Sequence, residues 1–311
     1  MSEIIFHHYQ NSPFSEKVRL IFGYKQLSWK SVTVPAVMPK PDVVALTGGY
    51  RRTPVMQIGA DIYCDTALIA DVIEGLAQEP TLYPAAQEGA ARILAQWADS
   101  SLFWSAIAYS FQPAGMQSVF ANMPPEQMQV FAADRAKFRG NVPRQSVAEA
   151  TGQMAQIALR LENMLAGGAQ YLLGAQPTIA DFSVYHAIWF VREVAKVPAV
   201  LERAPKLVAW ADRMAAIGHG EGSAMTSEDA LVIARSSTPV DQSGRAFVDM
   251  HGIALGQQVD IHATDYGIDP VRGELVLADT NEFAVRRTDD KAGEVVVHFP
   301  RLGFQLKKVE A

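Results

Sequence analysis

The chain has 311 residues, 49% of them hydrophobic, a formal charge of −6 and a single cysteine, Cys64. That length suits two or three domains and the apolar content argues against disorder, while the acidic balance offers no polycation for a phosphate backbone, so nucleic acid is not expected as a partner. One cysteine excludes an intrachain disulfide and fits a reducing cytoplasm, and neither a secretory segment nor a membrane-spanning run is apparent, so a cytoplasmic protein away from the membrane is expected.

From residue 1 to 84 the pattern reads strand, helix, strand, helix, two strands, helix. The apolar Ile4-Ile5-Phe6 precedes Asn11-Ser12-Pro13-Phe14. There a serine suits an N-cap, Pro13 suits the first helical position, and the helix dipole favours an anion. That helix runs through Arg19 to Tyr24. A strand around Trp29 to Val34 leads through a proline-rich loop, with Lys40-Pro41, to a helix near Asp42 to Leu46. Strands Val55 to Ile58 and Asp61 to Tyr63 flank Gly59-Ala60, and Cys64-Asp65-Thr66 opens a helix ending at Leu76.

Residues 87 to 220 read as helical. Ile93, Leu94, Trp97, Ser101, Trp104 and Ala108 fall on helical spacing, as do Met154, Ile157, Leu161, Met164 and Leu165. The capping box Thr178-Ile179-Ala180-Asp181 before the apolar run Phe182 to Val191 predicts a central, buried helix. From residue 223 to 311, after a short helix opened by Thr226-Ser227-Glu228-Asp229, the period changes. Gln257 to His262, Val271 to Leu277, Glu282 to Arg287, Glu294 to Phe299 and Phe304 to Val309 read as strands, with a turn at Asp289 to Gly293. A small antiparallel barrel or sandwich is expected, an appended module. With nine Lys and Arg against fourteen Asp and Glu, this tail is no basic binding surface.

The order of Ser12-Pro13-Phe14, Lys40-Pro41, Thr53-Pro54-Val55 and Asp65-Thr66, followed by the Thr178 box, resembles the glutathione transferase family over about the first 220 residues. The resemblance implies an α+β multidomain fold: a thioredoxin-like α/β domain, an all-α helical bundle domain and a small β-rich C-terminal domain, the last being foreign to ordinary members. It further implies a cytosolic, homodimeric, glutathione-dependent transferase working in detoxification. Ser12 would donate to the thiolate of glutathione, with Ser15 and Tyr9 as rivals. Lys40 would meet the glycyl carboxylate, a cis Thr53-Pro54 bond would present backbone groups to the cysteinyl unit, and Asp65 and Thr66 would hold the γ-glutamyl end. A small hydrophobic electrophile would lie against Phe103 and Trp104, drawn from the candidates Trp97, Phe103, Trp104 and Phe111.

The family usually has Glu or Gln where Asp65 stands, which leaves an interaction protein with a vestigial glutathione site as the alternative. No metal is expected. Asp249-Met250-His251 and Asp260-Ile261-His262 are the minimum of a ligand pattern, but polar strand faces share it. Arg51 and Arg52 rank behind Lys40 for the glycyl carboxylate, since exposed loop arginines are usually solvated charge.

Overall fold

In a computed structural model the chain is described over residues 3–140, 142–248 and 250–309. The first region forms as its pattern requires: β1 (Ile4–His8), α1 (Pro13–Tyr24), β2 (Ser28–Thr33), α2 (Pro41–Thr47), β3 (Val55–Ile58), β4 (Asp61–Cys64) and α3 (Thr66–Leu76). β1 runs parallel to β2 and antiparallel to β3, which pairs antiparallel with β4. Ile4 and Phe6 of β1 enter one core while Ile5 enters another on the opposite face, so the strand is apolar throughout because both faces are covered.

The helical region comprises α4 (Glu88–Trp97), α5 (Phe103–Ser110), α6 (Pro113–Val119), α7 (Pro125–Arg139), α8 (Val147–Met164), α9 (Ile179–Trp189) and α10 (Pro205–Ala215), with a π turn, Ala98–Leu102, between α4 and α5. α9 is buried from Ile179 to Ile188, as expected of a helix apolar on every side. Its Thr178 box forms, and the buried Asp181 carboxylate also accepts from the Leu172 amide (2.9 Å) and Trp210 Nε1 (3.0 Å). It staples the loop before α9 to α10. Helical spacing at Ile93 is correct, but Ile93 faces solvent; the buried line is Ala91 and Ala95 of α4, continued by Ala98 and Leu102 of the π turn. Among the described residues no helix is long and apolar enough to cross a membrane.

The tail contains β5 (Glu221–Ala224), α11 (Ser227–Ser236), β6 (Gln258–Ala263), β7 (Val271–Ala278), β8 (Glu282–Asp289), β9 (Gly293–Pro300) and β10 (Phe304–Lys308). Its strands from β6 onward lie where the sequence places them. The expected closed barrel or sandwich does not form. β9 pairs in parallel with β4, and β5 in parallel with β2, giving one ten-stranded sheet in the order β10-β6-β7-β8-β9-β4-β3-β1-β2-β5. The physical reason is the open edge of β4, whose free backbone groups are satisfied by β9 instead of by closure of the tail on itself.

One core packs the helical region against the sheet. The other joins Ile5, Leu46, Tyr50 and Ile62 of the first region to Val259, Leu275, Val297 and Phe299 of the tail. At the junction, His298 of β9 is buried between two carboxylates, Asp61 Oδ1 (3.0 Å) on β4 and Glu282 Oε1 (2.5 Å) on β8. Burial opposes a charge on this ring, but the two acids outweigh it and raise its pKa.

Candidate active site

Ser12 caps α1 with extended backbone (φ −79°, ψ 120°), and its Oγ accepts the Ser15 amide at 3.2 Å. The side chain is 1% exposed. Because the oxygen serves the helix as an acceptor, the hydroxyl proton is left for another group, and none of the described residues accepts it. Ser15 lies deeper, fully buried in the first turn, with its own hydroxyl unpaired among the described residues.

The second helix start is built from strain and capping together. Asp65 has φ 76°, a left-handed value that is uncommon outside glycine, and its Oδ1 caps α3 by accepting from the Ala67 amide at 2.9 Å. Burial pushes its carboxyl pKa upward against the opposing pull of Arg52, whose Nη1 lies 3.8 Å away. Thr66 Oγ1 accepts from Lys17 Nζ at 3.1 Å. Since Lys17 belongs to α1, this bond ties the two helix starts together.

The Thr53-Pro54 peptide is cis, as the resemblance implies. Lys40 caps the short α2 with its backbone only and turns its amine onto Thr53 Oγ1 at 2.8 Å. Burial, together with Arg135 and Arg51 and against Asp134, lowers the amine's pKa to about 8. Ser12, Lys40 and Thr66 thus stand at the starts of α1, α2 and α3, with Thr53 bonded to Lys40 and Thr66 to Lys17.

Three residues beneath this set were not assigned a role by sequence reasoning. Lys17 Nζ reaches Asp99 Oδ2 at 2.6 Å, and Asp99 Oδ1 meets His186 Nε2 at 3.0 Å. Although burial opposes ionisation, Lys17 and His186 hold Asp99 down to about 2. The available signal was His186 itself, an imidazole inside the apolar run from Phe182 to Val191, where an ionisable group needs a partner. This chain crosses from α1 through the π turn to α9 and locks the helical region against the base of the site.

Of the aromatic candidates, Trp97 packs on the main core and Phe111 stacks on Phe120 at 6.2 Å. The Phe103 ring lies 4.7 Å from that of Phe14, two residues beyond Ser12, and Trp104 packs on Phe103 at 5.0 Å. Both also meet Tyr266 of the tail, at 6.5 and 5.1 Å. Arg51 and Arg52 depart from the expected solvated charge. Arg51 bonds Asp134 of α7 at 2.7 Å, and Arg52 pairs with Asp265 and the Tyr266 carbonyl. The second Asp-x-His pattern is spent differently, with Asp260 held by Arg272 at 2.9 and 2.8 Å and His262 Nδ1 on the Ala263 carbonyl at 3.0 Å. Asp249 of the first pattern lies outside the described residues.

Comparison with known proteins agrees with this architecture. Residues 6–81 match the family model described as glutathione S-transferase, N-terminal domain, and residues 104–217 match that of the glutathione S-transferase C-terminal domain. A GST-like protein from Pseudomonas syringae is 42% identical, with 99% of this chain and 100% of that one covered at a TM-score of 0.83. A glutathione S-transferase from Rhodospirillum rubrum F11 is 18% identical over 67% of this chain and 86% of that one (TM-score 0.52). A beta-etherase from Sphingobium sp. strain SYK-6 is 18% identical over 70% and 96% (TM-score 0.51). These last two show a common fold. No curated protein matches the chain.

Proposed function

The chain belongs to the glutathione S-transferase family, and from that premise we propose that it is a glutathione-dependent transferase in which Ser12 activates the thiol. The observation that carries this reading is the Ser12 hydroxyl, buried at the start of α1, with its oxygen spent on the Ser15 amide and its proton without an acceptor among the described residues. A free thiol has a pKa of about 8.5, so at neutral pH it needs help to ionise. A donated hydrogen bond and the positive end of a helix both favour the thiolate.

In this reading Lys40 takes the glycyl carboxylate, which would restore the charge that burial weakens. The backbone of Thr53, beside the cis Pro54 bond, pairs with the cysteinyl unit, and Asp65 with Thr66 holds the γ-glutamyl end. The thiolate then attacks a small apolar electrophile beside Phe103. Ser12→Ala should still bind reduced glutathione by calorimetry but lose the ultraviolet absorbance of the bound thiolate and about two to three decades of conjugation rate with an aryl halide, the usual cost of one preorganised donor. Full activity in Ser12→Ala, with loss in Ser15→Ala or Tyr9→Phe, would transfer the role to that residue.

One observation favours a second reading, a binding protein with a vestigial site: Tyr266 of the tail already packs on Phe103 and Trp104, the two residues assigned to the electrophile. Absence of heat at millimolar glutathione would establish that reading in place of the enzyme.

A further inference from the structure

The loop between β6 and β7 reaches away from its own sheet. Tyr266 is 6% exposed, although it belongs to a loop of the tail. Its ring meets Phe103 and Trp104 of α5 and Phe138 of α7 (5.1 Å), and the Arg52 guanidinium lies 4.0 Å over its face. The backbone is held as firmly as the ring. The Gly267 amide donates to the Phe138 carbonyl at 2.8 Å, the Tyr266 carbonyl accepts from Arg52, and the side chains of Asp265 and Asp269 approach Arg52 and Arg51 respectively. Both arginines directly precede Thr53-Pro54, and Arg52 also stands beside Asp65. One loop therefore touches the two arginines that precede the Thr53-Pro54 turn and both aromatic residues assigned to the electrophile.

We propose that the tail supplies the far wall of the second-substrate pocket, and that Tyr266 is a specificity-determining residue which restricts the pocket to compact electrophiles. The inference rests on the glutathione reading of the adjoining site. A ring clamped between a guanidinium and three aromatic side chains fills the volume that a bulky aromatic substituent would need, and displacing it forfeits cation–π and ring contacts together. Phe103 itself is packed between Tyr266 and Phe14, its ring 6.5 Å from the first and 4.7 Å from the second.

The test compares binding of glutathione, S-methylglutathione and S-benzylglutathione by calorimetry in the wild type, Tyr266→Ala and Gly267→Ala. A Cβ at position 267 would stand 2.7 Å from the Phe138 ring, so the second variant displaces the loop with the tyrosine intact. Melting curves confirm that each is folded. In the wild type the benzyl compound should bind more weakly than the methyl compound. In either folded variant its relative affinity should rise about tenfold, the worth of one buried apolar group. Binding of glutathione by the variants but not by the wild type would overturn the proposal, because the loop would then close the glutathione site itself and not grade the second substrate. Glutathione bound by all three with an unchanged benzyl-to-methyl ratio would overturn the proposal and leave the glutathione reading standing. No binding of any of the three ligands by any variant at millimolar concentration would overturn both.

Discussion

Replacing His298 by phenylalanine would test what holds the tail to the first domain. The ring position and its stacking on Tyr63, 4.6 Å away, can be kept, while the bonds to Asp61 and Glu282 are lost. Removing one member of a buried ionic group costs about 3–5 kcal/mol. The lower end applies here, because Glu282 retains Arg245 at 2.7 Å and Asp61 retains the Val240 amide at 3.0 Å. A loss of about 3 kcal/mol should lower the melting temperature by roughly 6 °C in a chain of this size. Hydrogen exchange at the Val296 amide, bonded to the Ala60 carbonyl at 3.0 Å, should accelerate with it, since that bond spans the same junction.

The sign of the pH dependence follows from the raised pKa of His298. A group whose folded-state pKa lies above its unfolded value of about 6.5 contributes fully below that value and loses its contribution as pH rises through the folded pKa. The deficit of His298→Phe relative to wild type should therefore be largest near about pH 6 and shrink as the pH is raised through the folded-state pKa. A deficit that is flat across that range, or below about 1 kcal/mol, would show that the junction is held by apolar packing and that the imidazole is neutral.

A chain ending at Gly220 should be insoluble or unfolded, because Tyr50 would lose Phe299 and Phe304, Asp61 would lose His298, and a whole face of the first-domain core would be bared; a monodisperse fragment with cooperative melting would refute this. Asp65→Ala should cost about 1 kcal/mol of stability through the lost cap, and more through alanine at positive φ, while weakening glutathione binding by about 2–5 kcal/mol in calorimetry. An unchanged dissociation constant would move the γ-glutamyl site elsewhere.

What sequence reasoning recovered is the local structure that short-range chemistry sets. Ser12 is read as a cap because an N-cap is decided within three residues, and it makes that bond; Asp65, read at the opening of the next helix, makes one as well. Strands β6 to β10 are read from alternation and turns, which are equally local. What escaped depends on partners distant in sequence. Arg52 resembles any loop arginine until Asp265 and Tyr266 arrive from the tail, and Lys17 resembles a surface lysine until Asp99 arrives from the π turn. The pairing of β9 with β4 left one trace, the run Val295-Val296-Val297, whose lack of alternation marks a strand covered on both faces. Periodicity reports that such a strand is interior; it carries no information on which edge receives it.

The β4–β9 pairing also sets a clock on biogenesis. Asp61 and His298 are 237 positions apart, and at a synthesis rate of about 5–20 residues per second the interval between their emergence is roughly 12–47 s. Through that time the edge of β4 has no native neighbour, and the nascent thioredoxin-like unit offers it to any extended segment nearby. Slow closure of so distant a pair is the expected kinetic signature. A helper that shields one strand edge, rather than one that accelerates local folding, is the kind of assistance such a nascent chain would use.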